Sequence, residues 1–281
     1  MHEPPYRSSM YFREKVVIIT GSSMGIGFAT AQKLLRLGAN VVLNGRSTER
    51  LLPALDKLGD HERVMIAEGD VSDPDDCRKM VEATVGRFGK LDVLINNASL
   101  VSGARLADTE PGIFKKVTDA NLLGSVFPAM FAIPHLQKSK GSLVFISSVA
   151  GFHGIAENAP YCASKMAITA VVQSLRTELD GTGIHVGIVY PGFTENDERK
   201  SVLDASGRPV PVAHRPAWMQ QSREQVADSI IKLIRKRRKK MVLSAMGKLH
   251  AAACRISPAL VGYILKISRR RMKKMFGDKN S

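Results

Sequence analysis

Short, largely apolar runs alternate with longer stretches of helical periodicity along most of the chain. The runs are residues 16–20 (VVIIT), 41–44, 64–67, 91–95, 142–146 and 184–189. They are β-branched and aliphatic at successive positions, not at every second one, which is the mark of strands buried on both faces of a parallel sheet. Between them the pattern predicts helices. One covers residues 28–37 and stops at Gly38, one runs from Asp73-Pro74 to Phe88 with Gly89 at its end, and a long one reaches Leu136. Another spans 161–179, and Ser222-Arg-Glu-Gln225 matches a capping box opening a helix through the 230s. Such alternation predicts an α/β fold, a parallel sheet wound on both faces by helices. No repeat of 20–50 residues and no low-complexity linker interrupts it.

Composition changes this picture little, but charge divides it. The chain has 281 residues, 44% of them hydrophobic and 24% charged, which is ordinary for a folded domain. Its net charge is +15, yet residues 1–234 balance to +1, and residues 235–281 carry 15 Lys/Arg against the single acid Asp278. The expected organisation is an N-terminal extension over 1–13, a main α/β domain over 14–245 and a basic amphipathic C-terminal extension over 246–281. The three cysteines, Cys77, Cys162 and Cys254, are far apart and suggest neither a disulfide framework nor a zinc site. The histidines are scattered without metal spacing, so no metal is expected. Without a long apolar run or a secretory leader pattern, a cytoplasmic chain is expected, peripheral to the membrane at most.

The first chemical signal is Gly21-Ser22-Ser23-Met24-Gly25-Ile26-Gly27, between a strand and a helix. Glycines there permit a tight turn and close approach of backbone to a pyrophosphate, and the helix N-terminus supplies free N–H groups. An acid at the end of the second strand would bind the ribose hydroxyls of NAD. Gly45 stands there instead, followed by Arg46 and Ser47. Arg46 suits a 2′-phosphate, so NADP(H) is expected over NAD(H), although Met24 adds no second cation.

With these motifs and those that follow, the chain resembles the short-chain dehydrogenase/reductase family. The matching residues are the loop 20–27, Asp70-Val71, Asn96-Asn97-Ala98-Ser99, Asn121, Ser148, Tyr161-x-x-x-Lys165 and Pro191-Gly192, in family order across about residues 14–240. Ser99 departs from the usual glycine. The resemblance implies a single Rossmann-type doubly wound sheet. It also implies that Asp70 and Val71 lie near adenine, that Asn97 and Ala98 line the cofactor cleft, and that Pro191, Gly192 and Thr194 border the nicotinamide. Asn121 would position a water in a relay to Lys165, Ser148 would bind the substrate oxygen, and Lys165 would also hold the nicotinamide ribose.

The chemistry of the Tyr-Lys pair can be read independently. Tyr161 and Lys165 are four apart on a helix and share a face. A free phenol titrates near 10. A cation about 5 Å away, at an effective dielectric of about 20, contributes roughly 3 kcal/mol, enough to lower that value by about two pH units. Tyr161 would then exchange a proton with a carbonyl oxygen, while hydride moves between cofactor and substrate carbon.

The expected substrate is a ketone or secondary alcohol. Phe152, His153, Ile155, Phe193, Trp218 and Met219 fall in segments that the resemblance assigns to the pocket, favouring a bulky, steroid- or lipid-like molecule. Family members commonly form homodimers or homotetramers through helices around 110–135 and 161–180. In the tail, residues 256–276 combine an apolar side with a basic one. This suits an anionic membrane surface, packing on the body or a subunit, or, least of these, nucleic acid. The alternative to an enzyme is a catalytically idle nucleotide-binding protein acting as a membrane-surface or regulatory adaptor.

Overall fold

The structure, a computed structural model, describes residues 10–197, 199–212 and 215–276, the side chains of 268–276 apart. Its centre is a seven-stranded sheet in the order β3-β2-β1-β4-β5-β6-β9, parallel throughout. The strands are β1 (Val16–Ile19), β2 (Asn40–Gly45), β3 (Val64–Glu68), β4 (Val93–Asn96), β5 (Ser142–Ile146), β6 (His185–Tyr190) and β9 (Lys240–Val242). Alternate residues of each strand feed opposite layers. Val17 and Ile19 pack with α1 (Gly25–Arg36), α2 (Thr48–Leu58) and α7 (Arg223–Arg235). Val16 and Ile18 pack with α3 (Pro74–Phe88), α5 (Gly124–Ser139) and α6 (Ala159–Glu178). The apolar runs are therefore continuous because both strand faces are covered. The chain steps outward from β1 to β3, then returns to β4 on the other side of β1. The crevice beyond the C-terminal ends of β1 and β4 is the switch point where such sheets bind ligands.

Local signals placed several helix ends. The Asp73 carboxylate accepts from Asp75 N (2.8 Å) and Asp76 N (3.2 Å), and Gly89 closes α3 at φ +75°. Ser222 and Gln225 form the reciprocal capping box of α7.

Two expectations are corrected. The stretch reaching Leu136 is not one helix but a 3-10 turn (Leu106–Asp108), α4 (Pro111–Thr118), a π-helical turn (Asp119–Leu123) and α5. The basic run 235–240 is not a helix end throughout. α7 stops at Arg235, Arg237 takes φ +46°, its guanidinium donates to the carbonyls of Lys140 and Gly183, and Lys240 opens the edge strand β9. Charge leading into three strand residues gave no period to read. After β6, β7 (Ser201–Leu203) and β8 (Pro209–Pro211) form an antiparallel hairpin.

Phe12 is fully buried beside the α1 layer, although it falls within the expected N-terminal extension. The tail forms two helices, α8 (Ala245–Ile256) and α9 (Pro258–Phe276). Residues 1–9 and the side chains beyond Ile267, which include much of the expected basic face of the tail, lie outside the described residues.

Candidate active site

The glycine loop is stitched to neighbouring strand ends by hydrogen bonds that no local pattern reveals. Ser22 N donates to Asn44 O (2.9 Å), Asn44 N donates to Ser22 Oγ (3.0 Å), and Ser22 Oγ donates to Ile19 O (2.7 Å). Asn97 Nδ2 donates to the carbonyls of Thr20 and Gly21, both at 2.9 Å. Thr20 Oγ1 accepts from Asn97 N (2.9 Å) and Ala98 N (3.0 Å). The bonding roles of Thr20, within the matched loop, and of Asn44 were not read from sequence, since their partners lie 77 and 22 residues away.

The glycines are sterically required. Gly21 sits at φ +61°, and a Cβ there would meet Ala98 Cα at 2.7 Å. At Gly27 a Cβ would stand 2.5 Å from Gly21 O and 2.7 Å from Asn97 Nδ2. Gly25, also at φ +61°, has open space where its Cβ would be. Met24 gives α1 no side-chain cap, and the N–H of Gly25, its first residue, donates instead to the Asp197 carboxylate. Ser47 likewise begins α2 without a side-chain cap bond, and Arg46 beside it is exposed with no hydrogen-bond or ion-pair partner among the described residues. A narrow glycine turn at a helix N-terminus beside the ends of β1 and β2 fits the phosphates of a dinucleotide. Asp70 lies beyond β3, where its carboxylate accepts from Ser72 N (2.9 Å) and Ser72 Oγ (2.6 Å), and Val71 beside it is buried.

One acid intrudes near the loop. Burial would raise the Asp197 carboxyl. Hydrogen bonds from Arg199 and from the Gly25 N–H outweigh it and hold the group below its ordinary value. Arg199 Nε lies 3.0 Å and Arg223 Nη1 3.2 Å from Asp197, and Arg199 Nη2 donates to Ser23 O (3.3 Å). This cluster ties the segment after β6 to the glycine loop, and sequence reading missed it.

Beyond β5 the structure brings Ser148, Tyr161 and Lys165 together. Ser148 Oγ accepts from Ala150 N (3.2 Å), which turns the chain, and its hydroxyl hydrogen-bonds the Tyr161 phenol. Lys165 is 2% exposed, with Nζ 5.7 Å from the Tyr161 ring centroid and donating to Ile146 O (3.0 Å). Burial lowers the Lys165 ammonium to about 7, helped by the like charge of Lys200. Burial raises the Tyr161 phenol, against the hydrogen bond from Ser148. The expected lowering of Tyr161 by Lys165 is therefore corrected. Desolvation, invisible in a residue spacing, is the largest influence on the phenol and also weakens the Lys165 cation.

Asn121 is fully buried within the π-helical turn. Its Oδ1 accepts from Leu100 N (2.7 Å), and its Nδ2 donates to Leu100 O (2.9 Å) and Ser164 Oγ (3.0 Å). It thus locks the segment after Asn97-Ala98-Ser99 to α6, one residue before Lys165. Thr194 Oγ1 reaches back to Gly192 O (3.4 Å), and Arg215 lies over the Phe193 ring at 4.4 Å.

The wall around Tyr161 comes from unexpected residues. Ile113, Val117 and Leu203 form a small apolar cluster with Leu100 and Tyr161 packed against it. Leu203 reaches it from the hairpin, through a bridge to Ser102. Phe152, expected in the pocket, instead stacks on Tyr190 at 4.4 Å beneath Lys240. Trp218 is exposed.

Comparison with known proteins agrees with this geometry. A family model described as short chain dehydrogenase matches residues 15–206. The chain is 41% identical over 186 residues to an 11-beta-hydroxysteroid dehydrogenase-like protein, 4A, of Arabidopsis thaliana, an alignment covering 65% of this chain and 62% of that one. It is 34% identical over 195 residues to an uncharacterized oxidoreductase of Staphylococcus saprophyticus, covering 68% and 79%. The chain spans about three fifths of the length of the plant relatives it matches. Among solved structures, an alcohol dehydrogenase from Thermococcus sibiricus complexed with 5-hydroxy-NADP superposes with TM-score 0.71 at 24% identity, over 82% of this chain and 96% of that one. A short chain dehydrogenase/reductase from Burkholderia phymatum in complex with NAD gives 0.71 at 22%, over 82% and 89%. At those identities the likeness is one of fold.

Proposed function

Since the chain belongs to the short-chain dehydrogenase family, we propose that it is an NADP(H)-dependent oxidoreductase interconverting a ketone and a secondary alcohol, with Tyr161 as general acid and base. The observation that carries this reading is the constellation of half-buried Ser148 and Tyr161 with fully buried Lys165 beyond the end of β5. The cofactor, when bound, supplies or accepts the hydride. Gly21, Ser22, Ser23, Gly25, Ile26 and Gly27 would hold its pyrophosphate side, Asp70 and Val71 the adenine, and Asn97, Ala98, Pro191, Gly192 and Thr194 the nicotinamide half. Ser148 holds the substrate oxygen by its hydroxyl. Tyr161, a phenol already protonated at neutral pH whose pKa burial raises further, donates to that oxygen in reduction and takes the proton back in oxidation. Lys165 in its charged form stabilises negative charge developing there. Asn121 fixes the turn that sets the Leu100 segment against α6.

The pH dependence follows in sign. Lys165 is charged below about 7 and loses its proton above it. Ketone reduction is therefore expected to be fastest on the acid side of neutrality and to decline above it. Alcohol oxidation needs the Tyr161 phenolate, whose formation burial delays, so its rate is expected to climb continuously into the alkaline range. Profiles of kcat/KM for the two directions check this; parallel profiles would contradict it.

Preference for NADP(H) rests on Arg46, which is exposed and unpaired among the described residues, and on the missing acid at Gly45. Arg46→Gln is expected to weaken NADPH about 10- to 100-fold, the worth of a charge-assisted contact, and to leave NADH nearly unchanged. Thermal-shift and fluorescence titrations with both cofactors test it. Equal losses for the two would remove the assignment to Arg46.

A bulky apolar ketone, steroid- or lipid-like, is the proposed substrate. The Ile113–Val117–Leu203–Leu100 wall beside Tyr161 supports it, as does the hydroxysteroid dehydrogenase name of the plant relatives. Assembly into a homodimer or homotetramer belongs to the same reading, with exposed Met130 on α5 and Met166 on α6 at the faces concerned.

A further inference from the structure

Helices α8 and α9 turn their large apolar side chains away from the body. On α8, Met246, Leu249 and Ile256 share one stripe; Leu249 is 72% and Ile256 85% exposed. On α9, Leu260, Tyr263 and Ile264 form a second stripe, each more than half exposed. A helix at a protein–water surface ordinarily does the reverse. The seat of the pair uses small residues instead. A Cβ on Gly247 would meet Val149 Cγ1 at 2.9 Å, and one on Gly262 would meet His153 Nε2 at 3.7 Å. Val261 is the buried residue of α9 among those described. Packing on the body therefore does not use the outward stripes.

The charge on these helices is of one sign. Lys248, Arg255 and Lys266 are exposed along them, and no Asp or Glu occurs between Asp228 and Asp278. A second copy of this chain would bring cations against cations, since residues 235–281 carry 15 Lys/Arg and one acid. A bilayer with acidic headgroups offers hydrocarbon for the stripes and negative charge for their rim. Among the described residues no helix is long and apolar enough to cross a membrane, so the pair would lie in the plane of the headgroups.

We propose that α8 and α9 form an interfacial anchor that seats the chain on an anionic lipid surface. Val149 and His153, which they abut, belong to the segment that begins at Ser148. The anchor therefore brings the lipid to the same side of the molecule as the catalytic loop.

Co-sedimentation of the full chain with vesicles of phosphatidylcholine, alone or mixed with phosphatidylglycerol, tests this. Binding is expected to the mixed vesicles and to weaken with added salt. The double substitution Leu249→Glu/Ile256→Glu should reduce partitioning by about a hundredfold. Lys248→Gln, Arg255→Gln and Lys266→Gln should each reduce it by about fivefold. Because these side chains are exposed, melting temperature should not change, and Leu260→Glu/Ile264→Glu provides an independent second pair. Equal binding to both vesicle types, or none, would overturn the proposal. So would vesicle binding that survives both glutamate pairs and is released by salt alone. A dimer in solution that either glutamate pair converts to monomer, without vesicle binding, would assign the stripes to a second copy and overturn it as well.

Discussion

Tyr161→Phe is expected to cut turnover by about a thousandfold, the middle of the range for a positioned acid–base group, with cofactor affinity essentially unchanged. The substitution removes one oxygen. It deletes the proton donor and the hydrogen bond to Ser148, but keeps the ring that packs with Leu100 against Ile113, Val117 and Leu203. Lys165 keeps its bond to Ile146 O, because that bond does not involve the phenol. Steady-state kinetics beside a cofactor titration separate the two effects. A variant that retains turnover would favour a nucleotide-binding adaptor over an enzyme, since an adaptor has no use for the phenol.

Gly27→Ala is expected to abolish detectable cofactor binding and to destabilise the fold. Its new methyl would stand 2.5 Å from Gly21 O and 2.7 Å from Asn97 Nδ2, both of which belong to the stitched loop. Neither partner can yield cheaply. Gly21 is itself pressed against Ala98, and the Asn97 amide already serves two carbonyls. Overpacking of this kind costs about 1–3 kcal/mol, a fall of several degrees in melting temperature. Gly86→Ala, in the interior of α3 with open space around the new methyl, is the matched control. It should stabilise by roughly 0.5–1 kcal/mol through helix propensity. Calorimetry of both variants, with and without NADPH, checks the pair; an unaffected Gly27→Ala would mean that the loop is looser than its contacts imply.

The parts of the fold legible in the sequence are those governed by local physics. The apolar runs of β1 to β6 could be read because burial on both faces leaves few polar positions, most of them at strand ends, such as Asn44, Ser142 and His185. The Asp73 and Ser222 caps could be read because their partners lie two or three residues away. What escaped depends on distant residues or on burial. β9 is three residues long and follows a reversal at Arg237 that only its bonds to the carbonyls of Lys140 and Gly183 explain. The π-helical turn at Asp119–Leu123 has no sequence period, and Asn121 within it is held from Leu100 and Ser164. The Tyr161–Lys165 spacing located the pair. It carried no information about how dry the site is, and so gave the wrong direction for Tyr161. Asp197, Arg199 and Arg223 meet only because the segment after β6 folds back over the glycine loop.

The most direct measurement is consumption of NADPH by the full chain over a panel of steroid, 3-oxoacyl and aromatic ketones, with alcohol product quantified against cofactor used. Stoichiometric alcohol from one apolar ketone class, with NADPH well preferred to NADH, is the expected result. Tight binding of NADPH without turnover across the panel would contradict the oxidoreductase reading of Tyr161, and no binding of either cofactor would contradict the role given to the glycine loop.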